Sequence, residues 1–324
     1  MQTAALITGI SGQDGSYLAE LLLANGYDVH GICRRQDPQR LRHLTGNERL
    51  HLYHQSVEDF PSLLRLFEQV QPGEVYHLAA HSMVGFGYEA ESAALDTNIK
   101  GTHAVLAAAR EAAPQCRICL AGSSEMFGST PTAPQNEQTP FRPRSAYGVS
   151  KLACYHLMRY FRDVYQLHAS CAILFNHESP RRGEQFVTRK ITQGVARIKL
   201  GLQSSLPLGS LEPRRDWGYA PDFVRAMWLM LRQESPDDFV IATGQTHSVQ
   251  EFVELAFRLA GLQWQKYVVT DPGLVRPAER LLVGDASHAR ETLGWQPSVP
   301  FEEMVELMLQ ADLAALQDFP QAVG

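Results

Sequence analysis

The chain has 324 residues, 44% hydrophobic and 20% charged, a composition that suits a soluble globular protein of one large or two interleaved domains. A formal net charge of −6 provides no basic field to recruit nucleic acid or an anionic membrane, so an anionic ligand has to be held by local arginines. No apolar run approaches about 20 residues and no charged segment, apolar core and cleavage site open the chain, so neither a membrane span nor secretion is expected, and the cytoplasm is the expected location.

In chain order, a strand over residues 4–8 runs into Thr8-Gly9-Ile10-Ser11-Gly12-Gln13-Asp14-Gly15 and then a helix over 16–25, closed by Gly26. Glycines at 9, 12 and 15 permit a tight turn, close backbone approach to a pyrophosphate, and close packing of helix on strand. The helix N-terminus adds free N–H groups and a positive dipole end. A dinucleotide site is therefore expected at Gly9, Ile10, Ser11, Gly12, Gln13, Asp14 and Gly15. The second strand, 28–33, ends in Arg34-Arg35. A carboxylate there would select NAD, whereas guanidinium forks match a 2′-phosphate, so NADP is the expected cofactor; the plainer alternative is a solvated basic turn.

Strands follow at 50–55 and 74–79, with helices at 62–70 and 95–112, and a fifth strand is expected over 117–122. Cys116-Arg117-Ile118-Cys119 spaces two thiols as a metal or redox pair would. With no second pair, and five cysteines in all, burial of reduced thiols is the expected outcome and no metal site is expected. The fifth strand runs out into Gly122-Ser123-Ser124-Glu125. A helix over 146–165 then carries Tyr147 and Lys151 at i and i+4, one above the other. The ammonium would favour a phenolate and make Tyr147 a base. An alcohol dehydrogenase needs only hydroxyl, tyrosine and lysine. Glu125 adds a second acid/base group and with it a second chemical step, unless it is a solvent-facing loop glutamate.

After a sixth strand over 168–175 the alternation breaks into loops at 179–184, 208–215 and 271–279 between shorter helices. The expected fold is α/β: a Rossmann-type doubly wound parallel sheet with a smaller, mainly C-terminal α/β substrate domain. The expected division is a nucleotide domain of 1–176 plus about 213–243, and a sugar domain of 177–212 plus 244–324. Catalytic groups belong just after strands four, five and six.

The segments TGISGQDGSY (8–17), SSEMFG (123–128), FNHESPRRG (175–183), FVTRKI (186–191), RDWGY (215–219) and RPAE (276–279) closely resemble the GDP-mannose 4,6-dehydratase family of extended short-chain dehydrogenases over nearly the whole chain. The resemblance implies oxidation of GDP-mannose at C4, loss of water across C5–C6 and hydride return to C6, as in deoxyhexose biosynthesis. Tyr147 would take the C4 hydroxyl proton and Glu125 the C5 proton, with Ser123 or Glu125 assisting departure of water. It further implies cofactor contacts from Leu78, Ala79, Ala80, Ser82, Lys151, His177 and Arg182. Contacts to the GDP-sugar would come from Ser82, Ser123, Glu125, Asn176, Val187, Lys190, Leu208, Gly209, Arg215, Arg276 and Glu279. His177 could instead be a core histidine, and Trp217 is expected to pack.

Four positions depart from the family pattern. Gln55-Ser56 stands where Gly-Asp, whose acid reads the adenine, is usual. Ser123 replaces a threonine and keeps the hydroxyl. The loop after Arg34-Arg35 is short, which favours a homodimer over a homotetramer. The stretch Met83-Val84-Gly85-Phe86-Gly87 is atypical and keeps open another sugar, such as a GDP-heptose. A 4-keto reductase or C4-epimerase would need no C5 base, and an NADP-sensing binding protein would need no intact Tyr–Lys–Glu set.

Overall fold

The computed structural model describes residues 3–34, 39–82, 88–274 and 281–317. Arg35, Met83–Gly87, Arg276 and Glu279 therefore lie outside the described residues.

The alternation of apolar runs with helical segments becomes a seven-stranded sheet. Its first six strands in chain order are β1 (Ala4–Thr8), β2 (Asp28–Cys33), β3 (Leu50–His54), β4 (Glu74–His77), β5 (Arg117–Ala121) and β6 (His168–Leu174). The seventh sheet strand, β11 (Phe239–Ile241), comes from the irregular second half and was not individually expected. The order is β11-β6-β5-β4-β1-β2-β3, with every pair parallel. Ala5, Leu6, Ile7, Val75, Cys119 and Ala172 have no exposed surface, as a sheet covered on both faces requires. The order reverses between β1 and β4, and such a switch point opens a crevice beyond the strand ends.

The covering helices begin with α1 (Gln13–Ala24), α2 (Phe60–Val70), α3 (Tyr88–Leu95), α4 (Gly101–Ala112) and α5 (Ala146–Tyr165). The span expected as one helix over 95–112 is broken: α3 ends at Leu95, and a π-helical turn at Asp96–Lys100 precedes α4. Buried Asn98 in that turn donates to Ser150 Oγ at 2.8 Å and accepts from the His81 N–H at 2.7 Å. These bonds tether the turn to α5 and to the segment after β4. Cys116 and Cys119 are buried, and burial pushes both thiols up to about 12. That makes them inert packing groups.

In the second half lie α6 (Val187–Lys199), α7 (Ala220–Met230), α8 (Val249–Leu259), α9 (Ser287–Leu293) and α10 (Phe301–Gln317). Three short strand pairs join them: β7 (Asn176–Glu178) with β10 (Trp217–Tyr219), β8 (Leu206–Leu208) with β13 (Val268–Thr270), and β9 (Arg214–Arg215) with β12 (His247–Ser248). The described residues form two apolar cores. One wraps the large sheet, and the other joins α6, α8 and α10 around Trp217. Trp217 is buried, stacked on Phe301 and edge-on to Phe252, so it packs.

Candidate active site

The strand ends around the switch point enclose a groove of ≈690 Å³ that runs from Cys33 and Gln55 to Glu125 and Asn176. At its centre is the glycine turn. Gly9 has φ +72°, and a Cβ there would lie 2.8 Å from the Ala79 nitrogen. On Gly15 a Cβ would meet the Gly9 carbonyl oxygen at 2.4 Å. The N-cap of α1 is Gly12, with no side-chain cap, whereas Asp59 caps α2 and Ser145 caps α5. The first N–H groups of α1 are thus left for an anion. This geometry fits a dinucleotide diphosphate.

Ile10 is the member of the expected cofactor set that faces elsewhere. Its side chain is fully buried, so close to Gly31 that a Cβ there would collide with it. Its N–H is given to the Ile32 carbonyl. The residue locks the turn to β2 and does not line the groove.

Gln13 bonds the His177 carbonyl at 3.1 Å and receives Ser179 Oγ at 2.8 Å, joining the start of α1 to the segment after β6. Asp14 lies 3.0 Å from His177 Nε2, whose Nδ1 meets the Phe175 carbonyl at 2.7 Å. Burial works against charge on both partners, but their mutual attraction and hydrogen bond prevail. Asp14 is held at about 2 and His177 is raised above its ordinary value. His177 is therefore both a fixed, enclosed residue stacked on Phe223 and part of the groove wall; its two readings coincide.

A second enclosed histidine lies behind the turn. Thr8 Oγ1 accepts from the N–H groups of Leu78 and Ala79 at 3.2 and 3.1 Å, so its own proton goes to His77 Nδ1 at 2.8 Å. His77 Nε2 is then left to donate to Thr102 Oγ1 at 3.1 Å. Burial, followed by the charge of Lys151, lowers His77 to about 3 and keeps it neutral.

The reacting groups come from the ends of β5 and α5. Ser123 is extended and accepts the Glu125 N–H at 3.2 Å, which aligns the turn carrying Glu125. A Cβ on Gly148 would fall 2.7 Å from the Glu125 carbonyl oxygen, so glycine there lets α5 approach that turn. Lys151 is buried, donates to the Ala121 carbonyl at 2.8 Å, and has its ammonium 5.9 Å from the centre of the Tyr147 ring. Ser123, Glu125, Tyr147, Lys151, Asn176, His177 and Arg182 line one groove together with Arg34, Leu78, Ala79, Ala80 and Ser82. Arg182 pairs with Glu178 at 3.1 Å and stacks over Phe186.

Five of the expected sugar-side residues do not line this groove. Val187 and Lys190 stand on α6, Leu208 ends β8 with Gly209 after it, and Arg215 lies on β9. Leu208 is buried in the second core. The groove also takes in residues to which sequence reasoning gives no site role, Gln55 and Ser56 being read there only as a departure from the family pattern. Gln55, Ser56, Arg40 and Arg181 line it, and Arg40 donates to the Arg181 carbonyl at 3.0 Å. No spacing rule marks Arg40, Arg181, Asn98 or Gln55.

Residues 6–308 match the family model described as GDP-mannose 4,6 dehydratase. GDP-mannose 4,6 dehydratase 2 of Arabidopsis thaliana is 49% identical over 323 residues, covering 95% of this chain and 86% of the relative. Among solved structures, UDP-glucose 4-epimerase of Thermotoga maritima with UDP-glucose superposes with a TM-score of 0.85 at 26% identity, covering 98% of this chain and all of that one. RMD of Pseudomonas aeruginosa, complexed with NADPH, gives 0.83 at 22% identity over 97% of this chain and all of that one; that likeness is one of fold alone.

Proposed function

The chain belongs to the GDP-mannose 4,6-dehydratase family and carries out its reaction, GDP-mannose to GDP-4-keto-6-deoxymannose; from that premise we propose which groups do the chemistry. The cofactor class is a nicotinamide dinucleotide, and in this reading it is NADP. Arg34 at the end of β2 and Arg40 beyond it supply guanidinium groups to the groove, where net charge offers none.

A bound nicotinamide supplies a hydride acceptor for C4 and afterwards a hydride donor for C6. Tyr147 accepts the C4 hydroxyl proton, and buried Lys151 stabilises the phenolate at that moment. The 4-keto group makes the C5 hydrogen acidic, and Glu125 removes it. The electron pair left at C5 expels the C6 hydroxyl, which takes a proton from Glu125 or Ser123 and departs as water. The resulting enone accepts hydride at C6 and a proton at C5 from Glu125 reprotonated by solvent, while Tyr147 releases the proton it took from the C4 hydroxyl, so the protons balance and the cofactor ends as it began.

One observation carries this assignment: Glu125 shares a groove with Tyr147 and Lys151, held there by Ser123 at one side and Gly148 at the other. A dehydrogenase or epimerase has no use for that carboxylate. Purified protein given GDP-mannose without added NADPH should release one water per sugar, read by mass. Glu125→Gln should still bind substrate and reduce the bound cofactor, then stall, with turnover down about 10²–10⁴-fold. Normal turnover of Glu125→Gln would remove the base from this scheme.

The same reading places the GDP-sugar contacts of Val187, Lys190, Leu208, Gly209 and Arg215 on the unit built by α6, α8 and α10. It also takes the chain to be a cytoplasmic homodimer. Among the described residues no helix is long and apolar enough to cross a membrane, and all five cysteines are free and buried. Exposed Val149, Tyr160 and Val164 on α5 offer a face for a second copy.

A further inference from the structure

Asp216 is the residue between β9, which ends at Arg215, and β10, which begins at Trp217. It has no exposed surface, and a buried carboxylate is costly unless hydrogen bonds meet its oxygens. Here Oδ1 accepts the Thr243 N–H at 2.9 Å and the Thr243 hydroxyl at 2.6 Å. Oδ2 accepts the N–H groups of Gly244 at 3.0 Å and Gly284 at 3.1 Å. A carboxylate has about four acceptor sites and no donor, so the set is full, and an asparagine would turn its amino group against backbone N–H groups. These bonds tie separate stretches of chain to one point. Thr243 and Gly244 follow β11, the end strand of the large sheet. A Cβ on Gly284 would lie 2.9 Å from the Phe175 ring, and Phe175 lines the groove just before β7. On the other side of Asp216, Trp217 pairs with Asn176, the first residue of β7, which lines the groove as well.

We propose that Asp216 is a positioning residue for the GDP-sugar: it fixes Arg215 at the distance from the groove wall of Phe175 and Asn176 that the substrate's diphosphate requires. The proposal rests on the reading above that Arg215 contacts the GDP-sugar. Asp216 is enclosed and touches no ligand, whereas Arg215 beside it is only half-buried, so the carboxylate acts through its neighbour in the chain. A guanidinium recognises phosphate oxygens by a directional fork. A small shift of β9 away from the groove therefore weakens the contact, and with a net charge of −6 no general attraction makes up for it.

The test measures KM and kcat for GDP-mannose, and the affinity for GDP by calorimetry, which requires no turnover. Asp216→Asn is expected to raise KM and weaken GDP about tenfold or more while kcat stays within about threefold, because binding shared by ground and transition states is what is lost. Arg215→Ala should weaken GDP at least as much. Adding Asp216→Asn to it should then cost little further, since a displaced guanidinium and a missing one forfeit the same contact. Thr243→Val removes one donor to Oδ1 and should raise KM about two- to threefold; it decides the matter if Asp216→Asn does not fold. An Asp216→Asn protein that melts lower with KM unchanged, independent effects in the double variant, or an unchanged KM in Thr243→Val overturns the proposal. If Arg215→Ala binds GDP as wild type does, the contact assigned to Arg215 falls instead.

Discussion

His77 and His177 are both enclosed, and their surroundings drive them to opposite charge states. Burial lowers His77 from 6.5 to about 3, so the fold holds it neutral while the unfolded chain binds a proton throughout that interval. Stability then rises with pH across it, and acid costs about 1.4 kcal/mol per pH unit below 6.5. His177 is raised above 6.5 because Asp14 outweighs the cost of burial. Its contribution is complete below pH 6.5 and fades as pH climbs through the raised value. Asp14, depressed from 3.8 to about 2, contributes fully above 3.8 and loses that as pH falls towards 2. The pair is therefore strongest between those limits. Denaturant unfolding at a series of pH values should show His77→Asn with a shallower acid limb than wild type. His177→Asn should show a shallower decline on the alkaline side. Parallel curves for either variant would contradict the assigned charge state.

At the scale of elements, what was legible is what local chemistry dictates. The span of α5 was readable because Ser145 caps it, with the Gly148 N–H at 3.0 Å from its hydroxyl, and Gln166 ends it in the left-handed region. The start of α1 was expected three residues late, since Gly12 offers no capping side chain to mark it, and that lack of a cap is what leaves the turn free for an anion. The π-helical turn at Asp96–Lys100 was invisible, because it depends on Asn98 meeting Ser150 and His81 far along the chain. Gln55 could be seen only as a departure from a family pattern; that its nitrogen is buried and unmatched is a fact of packing. The glycine turn itself was legible to the residue, and it makes a sharp prediction. A methyl on Gly15 would stand 2.4 Å from the Gly9 oxygen and 2.6 Å from the Ile10 Cα, both backbone. Gly15→Ala should thus cost about 1–3 kcal/mol of stability by overpacking and weaken binding of the reduced nicotinamide dinucleotide at least tenfold, checked by thermal melting and fluorescence titration. A variant that melts normally and binds normally would show that the turn can yield.

For the whole molecule, the helix that carries Tyr147 and Lys151 also exposes an apolar stripe. Val149, Ala153, His156, Tyr160 and Val164 recur at spacings of four, three, four and four, which sets them on one stripe of α5 about 80° wide. Val149, Tyr160 and Val164 are 46%, 47% and 57% exposed, too much apolar surface in one line to leave in water without a reason. Tyr147 and Lys151 occupy the first turns of the same helix. A second copy seated along this stripe would brace the helix that aims the base, while GDP-mannose would still bind between the groove and the second core. Replacing Tyr160 and Val164 by lysine puts like charges opposite each other across a twofold axis, so light scattering should report a mass near the 36.1 kDa of one chain in place of about twice that. In the separated protomer kcat should fall several-fold more than KM rises, because the loss is in positioning and not in substrate contacts. A variant that stays paired would move the interface off α5. One that separates and keeps its kcat would show that α5 needs no partner to aim Tyr147.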